Sequence, residues 1–201
     1  MQIGAFIKVK AGENMKNSQI THWCHEILRS QTSCGGCYID ATMGKGNDTA
    51  FLCELAGDTG TVLAFDIQEE ALHATAKLLK EKGVIDRARL ILDGHEHMER
   101  YVEKESVDAI CFNFGYLPGG NHKIATSPKT SVRAIEQGLA LLKSGGMMSL
   151  CIYSGGDTGF EEKEKILTFL KKISSKLYTV ILNEYYNREN NPPMPVFVFK
   201  N

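Results

Sequence analysis

An aspartate, two glycines and a second aspartate follow one another at a spacing that suits nucleotide binding. Asp40 precedes Gly44 and Gly46 in the pattern Asp-x-x-x-Gly-x-Gly, and Asp66 follows this turn at about 20 residues. Glycines let the backbone approach a ligand, and an aspartate at this distance accepts hydrogen bonds from ribose hydroxyls, although a strand-end aspartate can also cap a helix. Thr49 occupies the place of the third glycine of the dinucleotide fingerprint, so a nicotinamide-dependent enzyme is disfavoured.

A second group of residues with chemical potential lies in the segment Asn113-Phe-Gly-Tyr-Leu-Pro-Gly-Gly120, directly after an apolar run. The side-chain oxygen of Asn113 can accept a hydrogen bond from an amine, and Tyr116 or Phe114 can stack on a base. Methyltransferases that act on exocyclic amines carry an Asn-Pro-Pro-Tyr loop at this place. Asn113 and Tyr116 match its two ends, whereas Phe114 and Gly115 replace the prolines. The loop favours a nitrogen atom as the reaction target.

Apolar runs and helical periodicity predict the elements that position these residues. Strands are predicted at 38–40, 61–66, 88–92, 107–112, 147–153, 177–185 and 195–200. Helices are predicted at 14–31, 68–82 and 160–174, and from 127 up to the glycines at 145 and 146. A further helix is predicted to begin near His95. Another follows the glycine turn, where Asn47 or Asp48 can act as its N-cap. This order predicts an α/β protein of one domain, residues 1–201, with helix 14–31 packed on the sheet and a hairpin at the end.

Composition and charge narrow the class of protein. The 201 residues carry a net charge of -1 and 43% hydrophobic residues, which is ordinary for a globular protein and unlike a generally basic nucleic-acid binder. No apolar run approaches the ~20 residues of a membrane span. Residues 1–10 lack the apolar region and cleavage site of a signal peptide. We therefore expect a cytoplasmic protein without membrane spans.

Cysteine spacing gives little reason to expect a metal site. Cys34 and Cys37 form a lone C-x-x-C pair, with His22 and His25 nearby in the sequence. A strong zinc pattern needs a second pair at regular spacing, and the sequence has none. We therefore expect reduced thiols and no bound metal.

Four segments of the chain together resemble one known family. They read Asp40-Ala-Thr-x-Gly-x-Gly-x-Asp48-Thr49, Asp66-Ile-Gln68, Asp93-Gly-His95 and Asn113-x-Gly-Tyr-Leu-Pro-Gly-Gly120. From about residue 14 to residue 200 the chain is similar to the YtqB-like family, also called MnmM, whose members also carry the label rRNA methylase. The resemblance implies a class I methyltransferase that uses S-adenosyl-L-methionine (SAM). It also implies a Rossmann-like, seven-stranded, mostly parallel sheet with helices on both faces and a C-terminal antiparallel hairpin.

For this family the implied substrate is tRNA. The 5-aminomethyluridine at the wobble position, often 2-thiolated, would be methylated on its side-chain amine. The older label implies the same chemistry on rRNA, and a protein or a small molecule is a further alternative acceptor. A SAM-binding sensor without catalysis is the non-enzymatic alternative, against which the amine-orienting Asn113 argues. No separate RNA-binding domain is evident, so we expect contacts from a local basic patch, and a homodimer could enlarge that surface.

The resemblance also implies which residues bind SAM. They are Asp40, Gly44, Lys45, Gly46, Asn47, Asp48, Asp66, Gln68, Asp93, Gly94, His95 and Asn113. Among them Asp40 would face the cationic methionine part of SAM, Asp66 would bind the ribose, and the segment from Asp93 to His95 would flank the adenine. Lys45 stands where many family members carry Asn.

Catalysis would depend on the loop after the fourth strand. Asn113 would orient the amine, and Tyr116 or Phe114 would stack on the base. Because an aliphatic amine is cationic in neutral water, a nearby base or a desolvating pocket must favour its neutral form. His95 and His122 are the candidates for that base.

Overall fold

A computed structural model describes residues 20–115, 126–154 and 156–201 of the chain. The strands of the described residues are β1 (Cys37–Asp40), β2 (Thr61–Asp66), β3 (Ala88–Leu92), β4 (Val107–Phe114), β5 (Leu142–Ile152), β6 (Tyr178–Leu182) and β7 (Met194–Lys200). Their α-helices are α1 (Ile20–Gln31), α2 (Asn47–Ala56), α3 (Glu69–Glu81), α4 (Pro128–Leu141) and α5 (Gly156–Leu170). Short 3-10 helices lie at Ile85–Arg87 and His95–Arg100. Every strand predicted from the sequence has a counterpart.

The strands form one seven-stranded sheet in the order β3-β2-β1-β4-β5-β7-β6. All neighbouring pairs from β3 to β5 are parallel, whereas β7 runs antiparallel to both β5 and β6. The expected Rossmann-like, mostly parallel sheet with a C-terminal antiparallel hairpin is therefore confirmed. The chain builds the sheet outward from β1 in one direction and then from β4 in the other. Ligands of open α/β sheets bind at such a switch point, beyond the carboxyl ends of the strands.

Helices cover both faces of this sheet, as predicted. Successive side chains of a strand point to opposite faces, so Tyr38 and Ile39 of β1 enter different cores. The core around Tyr38 includes buried residues of α1, α2 and α3, and the core around Ile39 includes buried residues of α4 and α5. The two layers of helices hold the strand ends in fixed positions around the crevice.

The helix α1 packs on the sheet through Cys24 and Leu28, which lie one turn apart and are buried. The helix was predicted over 14–31, and residues 14–19 lie outside the described part of the chain. The position of α1 matters because Thr21 on the same helix lines the crevice and His25 contacts Asp48, which also lines it.

Two strands are longer than the apolar runs predicted. The strand β5 begins at Leu142, which pairs with Val107, and the register then shifts before Met147 pairs with Ala109. The glycine at 145, with φ of 79°, lies within this irregularity, so the apolar run revealed only the regular part of the strand. The strand β4 continues two residues past its predicted end and includes the functional candidate Asn113.

Candidate active site

A cavity of about 710 Å³ opens at the carboxyl ends of β1, β2 and β4. Its walls come from the glycine turn after β1, the residues after β2 and β3, the end of β4 and the start of α4. Thr21 on α1, Tyr153 and Ser154 after β5, and Asn191 and Pro193 in the loop before β7 complete the wall. This volume is within the range of small-molecule sites, and the position is where open α/β sheets bind their ligands.

Two glycines shape the turn between β1 and α2. Gly44 and Gly46 have φ angles of 49° and 83°, which glycine adopts without the strain that a side chain would cause. A Cβ atom at Gly46 would lie 2.8 Å from Thr75 Oγ1, so α3 packs tightly behind the turn. The predicted turn residues that line the cavity are Gly44, Lys45, Asn47 and Asp48.

The carboxylate of Asp66 joins the end of β2 to the glycine turn. Its Oδ2 accepts a hydrogen bond from the backbone N–H of Gly44 at 3.0 Å, and its Oδ1 accepts one from the N–H of Gln68 at 3.0 Å. Asp66 and Gln68 both line the cavity. An ionised carboxylate has about four lone-pair sites, so each oxygen can still accept a hydrogen bond from a ligand hydroxyl.

The segment after β3 is only partly available to a ligand. Asp93 accepts hydrogen bonds from His97 Nδ1 at 2.7 Å and from the Tyr101 hydroxyl at 2.8 Å. Burial raises the pKa of Asp93, but these two hydrogen bonds outweigh it and leave the pKa lowered. Asp93 and His95 line the cavity, whereas Gly94 does not. Burial also lowers the pKa of His95, which keeps the imidazole neutral and makes it a weak proton acceptor.

Asp40 does not face the cavity, contrary to the sequence expectation. Its side chain is fully buried beneath the glycine turn, where Oδ2 accepts from Thr49 Oγ1 at 2.6 Å and Oδ1 accepts from the N–H of Thr42 at 3.2 Å. Burial, together with the charge of Asp48, raises the pKa of Asp40 to about 7. A carboxyl group in this position supports the turn from below and does not line the cavity.

The prediction that Asn47 or Asp48 caps α2 was wrong. The N-cap is Gly46, and no side chain makes a capping hydrogen bond there. The carboxylate of Asp48 instead lies against the cavity, between α1 and β4. Its Oδ1 is 2.7 Å from His25 Nε2, and its Oδ2 accepts from Asn113 Nδ2 at 2.6 Å.

Asn113 is held at two points at the end of β4. Its backbone N–H donates to Thr42 Oγ1 at 2.7 Å, and its side-chain Nδ2 donates to Asp48 as described above. The residue is half-buried and lines the cavity. Because the nitrogen of the amide is engaged by Asp48, the oxygen is the group that is left to accept a hydrogen bond.

The two aromatic candidates for base stacking differ. Phe114 has 0% exposure and its ring stacks on Phe112 with centroids 5.0 Å apart, so it offers no free face to a base. The structure therefore does not support stacking by Phe114. Tyr116 lies outside the described residues, as does His122.

Comparison with known proteins identifies the family. Residues 62–199 match the family described as "Putative rRNA methylase". The chain belongs to this family. The methylase is 34% identical over 192 residues to "tRNA (mnm(5)s(2)U34)-methyltransferase, chloroplastic" of Arabidopsis thaliana, across 90% of this chain and 69% of that protein.

Solved structures agree with this assignment. A "putative rRNA-methylase" of Clostridium thermocellum is 44% identical with a TM-score of 0.88, over 90% of this methylase and 97% of that chain. A "putative methyltransferase" of Streptococcus mutans, solved in complex with S-adenosylhomocysteine (SAH), is 36% identical with a TM-score of 0.83, over 92% and 99% of the two chains. These findings confirm the resemblance drawn from the sequence, and they make this protein a SAM-dependent methyltransferase.

The residues of the cavity fit SAM. The glycine turn brings backbone close to the ligand space, and Asp66 presents oxygen atoms at a position suited to a ribose. SAM carries a sulfonium and an ammonium group, and the carboxylates of Asp48 and Asp66 supply negative charge on the cavity wall. Which of these residues contact the cofactor stays a prediction.

A group of hydrogen bonds that sequence reasoning missed joins Gly115, directly after β4, to Thr126. Thr126 Oγ1 accepts a hydrogen bond from the N–H of Gly115 at 2.8 Å, and the N–H of Thr126 donates to the oxygen of Gly115 at 3.0 Å. Thr126 Oγ1 in turn donates to the buried carboxyl group of Glu162 at 2.9 Å, which also accepts from Ser131 Oγ at 2.6 Å. These hydrogen bonds connect Gly115 and Thr126 to each other and to Glu162 of α5, which also binds Ser131 of α4.

The described residues also bear on metal binding and on membrane spans. In residues 20–115, 126–154 and 156–201, no group of three His, Cys, Asp or Glu side chains is arranged to hold a metal ion. None of the helices in these same ranges has the length and apolar character needed to cross a membrane. His25, considered in the sequence only as a metal ligand, contacts Asp48 instead.

Proposed function

We propose that this methylase N-methylates the aminomethyl group of 5-aminomethyluridine, or of its 2-thio form, at the wobble position of tRNA. The observation that carries the proposal is Asn113 on the cavity wall, with its amide nitrogen bound to Asp48 and its oxygen left to accept from an amine. The name of the Arabidopsis relative gives mnm(5)s(2)U34, the methylaminomethyl nucleoside that this reaction would produce, which supports the choice of acceptor.

The reaction requires that the protein orient the substrate amine and favour its neutral form. When bound, SAM supplies an electrophilic methyl group whose sulfonium leaving group needs no acid. The amine nitrogen forms the new N–C bond as the C–S bond breaks, so its lone pair must be free of a proton and aimed at the methyl carbon. A hydrogen bond from the amine to Asn113 Oδ1 fixes that aim, and positioning of this kind accounts for much of enzymatic rate acceleration. The proton that the substrate ammonium carries in neutral water leaves to solvent before the attack, and the product is a secondary ammonium.

In this proposal the cofactor is held by the other wall of the cavity. The backbone at Gly44 and Lys45 faces the methionine part, Asp66 with Gln68 accepts hydrogen bonds from the ribose hydroxyls, and His95 flanks the adenine. All five residues line the cavity. Asp93 contributes through its backbone, since its carboxylate already accepts from His97, from Tyr101 and from the N–H of Gly94, and Arg100 lies 3.8 Å from it.

The RNA would reach the cavity along α4. Lys129 and Arg133 are exposed on this helix, one turn apart, and its first turn lines the cavity. Such side chains track phosphates and carry no sequence information. We further propose that the enzyme works in the cytoplasm and as a homodimer, which would enlarge a basic surface that one protein of net charge -1 offers only locally. Sedimentation of the free enzyme and of its tRNA complex tests the dimer.

Ribosomal RNA is the second candidate acceptor, favoured by the family description. The geometry at Asn113 suits an amine in either RNA and therefore does not separate the two. The distinction has to come from the nucleoside that is methylated.

The test is methyl transfer from labelled SAM to bulk tRNA and, separately, to rRNA, both isolated from a strain that lacks this gene. Nucleosides are then separated and identified by mass spectrometry. Conversion of aminomethyluridine to methylaminomethyluridine in tRNA is the expected result. Label in rRNA alone would show that rRNA, and not tRNA, is the substrate. SAM binding without transfer to either RNA would favour a protein or small-molecule acceptor, or a SAM-binding sensor without catalysis.

A further inference from the structure

Three side chains form a line of hydrogen bonds from the cavity wall to the first helix. Asn113 Nδ2 donates to Asp48 Oδ2 at 2.6 Å, and Asp48 Oδ1 lies 2.7 Å from His25 Nε2. The three residues belong to β4, α2 and α1, and the chain separates them by 65 and 23 positions. Only the fold brings them together.

The carboxylate of Asp48 determines which way the amide of Asn113 points. A carboxylate accepts hydrogen bonds and donates none, so it bonds to the NH₂ group of the amide. The flipped amide would set Oδ1 of Asn113 against Asp48, two acceptors without a proton between them. The oxygen of Asn113 is therefore directed away from Asp48, which is the orientation needed to accept from an amine.

His25 in turn fixes the carboxylate. Against an acceptor, Nε2 of His25 acts as the donor, so each oxygen of Asp48 has one protein donor of its own. The imidazole stacks on Phe51 with centroids 3.8 Å apart and an angle of 4° between the rings, and Arg29 lies over Phe51 at 5.3 Å. The side chain of His25 is only 20% exposed. Packing therefore holds the ring in place, and the ring holds Asp48.

We propose that His25 is a positioning residue for methyl transfer, which acts through Asp48 to keep the amide oxygen of Asn113 turned towards the acceptor amine. The inference rests on the proposed function, in which Asn113 receives that amine. It gives α1 a part in catalysis in addition to its packing on the sheet. At metal sites, removal of the outer hydrogen-bond partner of a ligand typically costs about 10–100-fold in affinity or activity, and we expect a loss of turnover of the same size here.

Two substitutions separate the hydrogen bond from the ring stack. His25→Phe keeps an aromatic ring over Phe51 and removes the donor, whereas His25→Gln removes the ring and keeps an N–H donor for Asp48. His22→Phe, at an exposed position on the same helix, is the control. We expect kcat of His25→Phe to fall about 10–100-fold, kcat of His25→Gln to stay within about 5-fold of the wild type, and Kd for SAM to stay within about 2-fold throughout.

Three kinetic results would overturn the proposal. They are a His25→Phe enzyme with wild-type kcat, equal losses in His25→Phe and His25→Gln, and a loss of SAM affinity that accounts for the loss of turnover. Thermal unfolding of each variant is measured alongside, and a variant that does not fold is replaced in the series by Asp48→Asn. That substitution removes the carboxylate that selects the amide orientation, and it is expected to lower kcat at least as much as His25→Phe does.

A measurement without any acceptor keeps this inference distinct from the proposed function. The side-chain NH₂ signals of Asn113, assigned by their loss in Asn113→Ala, are recorded by ¹⁵N NMR of the SAM-bound enzyme. We expect slow exchange with water in the wild type and in His25→Gln, and faster exchange in His25→Phe. Unchanged exchange in His25→Phe would overturn the positioning role even if tRNA is the substrate. Failure of the wild type to methylate either RNA would overturn the proposed function and leave this result to stand by itself.

Discussion

Two halves of the cavity are built in different ways. We call Gly44, Asp66 and Gln68 the cofactor half, and Asn113, Asp48, His25 and Thr42 the acceptor half. The hydrogen bonds of the cofactor half all lie within the continuous unit from β1 to α3. Those of the acceptor half join α1, α2 and the turn after β1 to β4.

This difference separates what is general from what is specific in the enzyme. A single β-α-β unit can bring a glycine turn and an aspartate to a nucleotide-like ligand, and many proteins use that arrangement. The acceptor half needs a helix from one face, a strand from the middle of the sheet, and a carboxylate that bonds to both. In the proposed function, the choice of a nitrogen target depends on this second half.

The largest effect is expected from removal of the amide in the acceptor half. Asn113→Ala deletes the oxygen that orients the amine, and loss of one preorganised hydrogen-bonding group at a reacting centre costs roughly 10²–10³-fold in kcat. The affinity for SAM, measured by calorimetry, should change by less than about 3-fold. Asn187→Ala, in the exposed loop before β7, is the control. Retained turnover would show that Asn113 does not orient the amine.

The opposite pattern is expected when the cofactor half is changed. Asp66→Ala removes both acceptors for the ribose and also frees the N–H of Gly44. Hydrogen bonds to a charged group contribute about 1.5–3 kcal/mol, so the Kd for SAM should rise about 10–100-fold, while kcat at saturating SAM changes little. Asp58→Ala, at a side chain with 89% exposure, is the matched control. If the affinity of Asp66→Ala for SAM were unchanged, Asp66 would not be the residue that binds the ribose.

The cofactor half was largely predictable because its residues follow each other at fixed spacing. The glycine turn, the strand that ends on Asp66 and the succession of strands and helices along the chain come from local patterns of apolar residues and turns, whereas the sheet was implied by the family resemblance. Burial was not predictable in the same way. Asp40 ends a strand as Asp66 does, yet Asp40 lies under the turn and Asp66 lies on the cavity wall.

The acceptor half shows why spacing alone was insufficient. His25, Asp48 and Thr42 have no fixed distance from Asn113 in the sequence, so their contacts depend on the packing of α1 and on the adjacency of β1 and β4. Phe114 was predictable in principle. Adjacent residues of a strand point to opposite faces, and β4 continues through Phe114, so its ring points away from the side chain of Asn113 and enters the core.

The smallest effect on methyl transfer is expected at Asp40, which supports both halves without lining the cavity. It accepts from Thr49 and from the N–H of Thr42, and the hydroxyl of Thr42 in turn holds Asn113. Asp40→Asn keeps one acceptor, and the hydroxyl of Thr49 can rotate to accept from the new NH₂ group. We expect kcat and the Kd for SAM to change by less than about 3-fold, much less than in Asn113→Ala or Asp66→Ala.

The effect of Asp40→Asn should appear in the pH dependence of the unfolding free energy and not in the activity. The pKa of Asp40 is about 7 in the folded protein, above the ordinary 3.8, so folding favours the protonated form. Its stabilising contribution is complete below pH 3.8 and is lost as the pH rises through 7. Between pH 5 and pH 8 the wild type should therefore lose roughly 2–3 kcal/mol of unfolding free energy relative to Asp40→Asn, measured by urea denaturation. Parallel pH curves would contradict the raised pKa of this buried carboxyl group. If Asp40→Asn lowered SAM affinity as much as Asp66→Ala does, Asp40 would instead belong to the cofactor half.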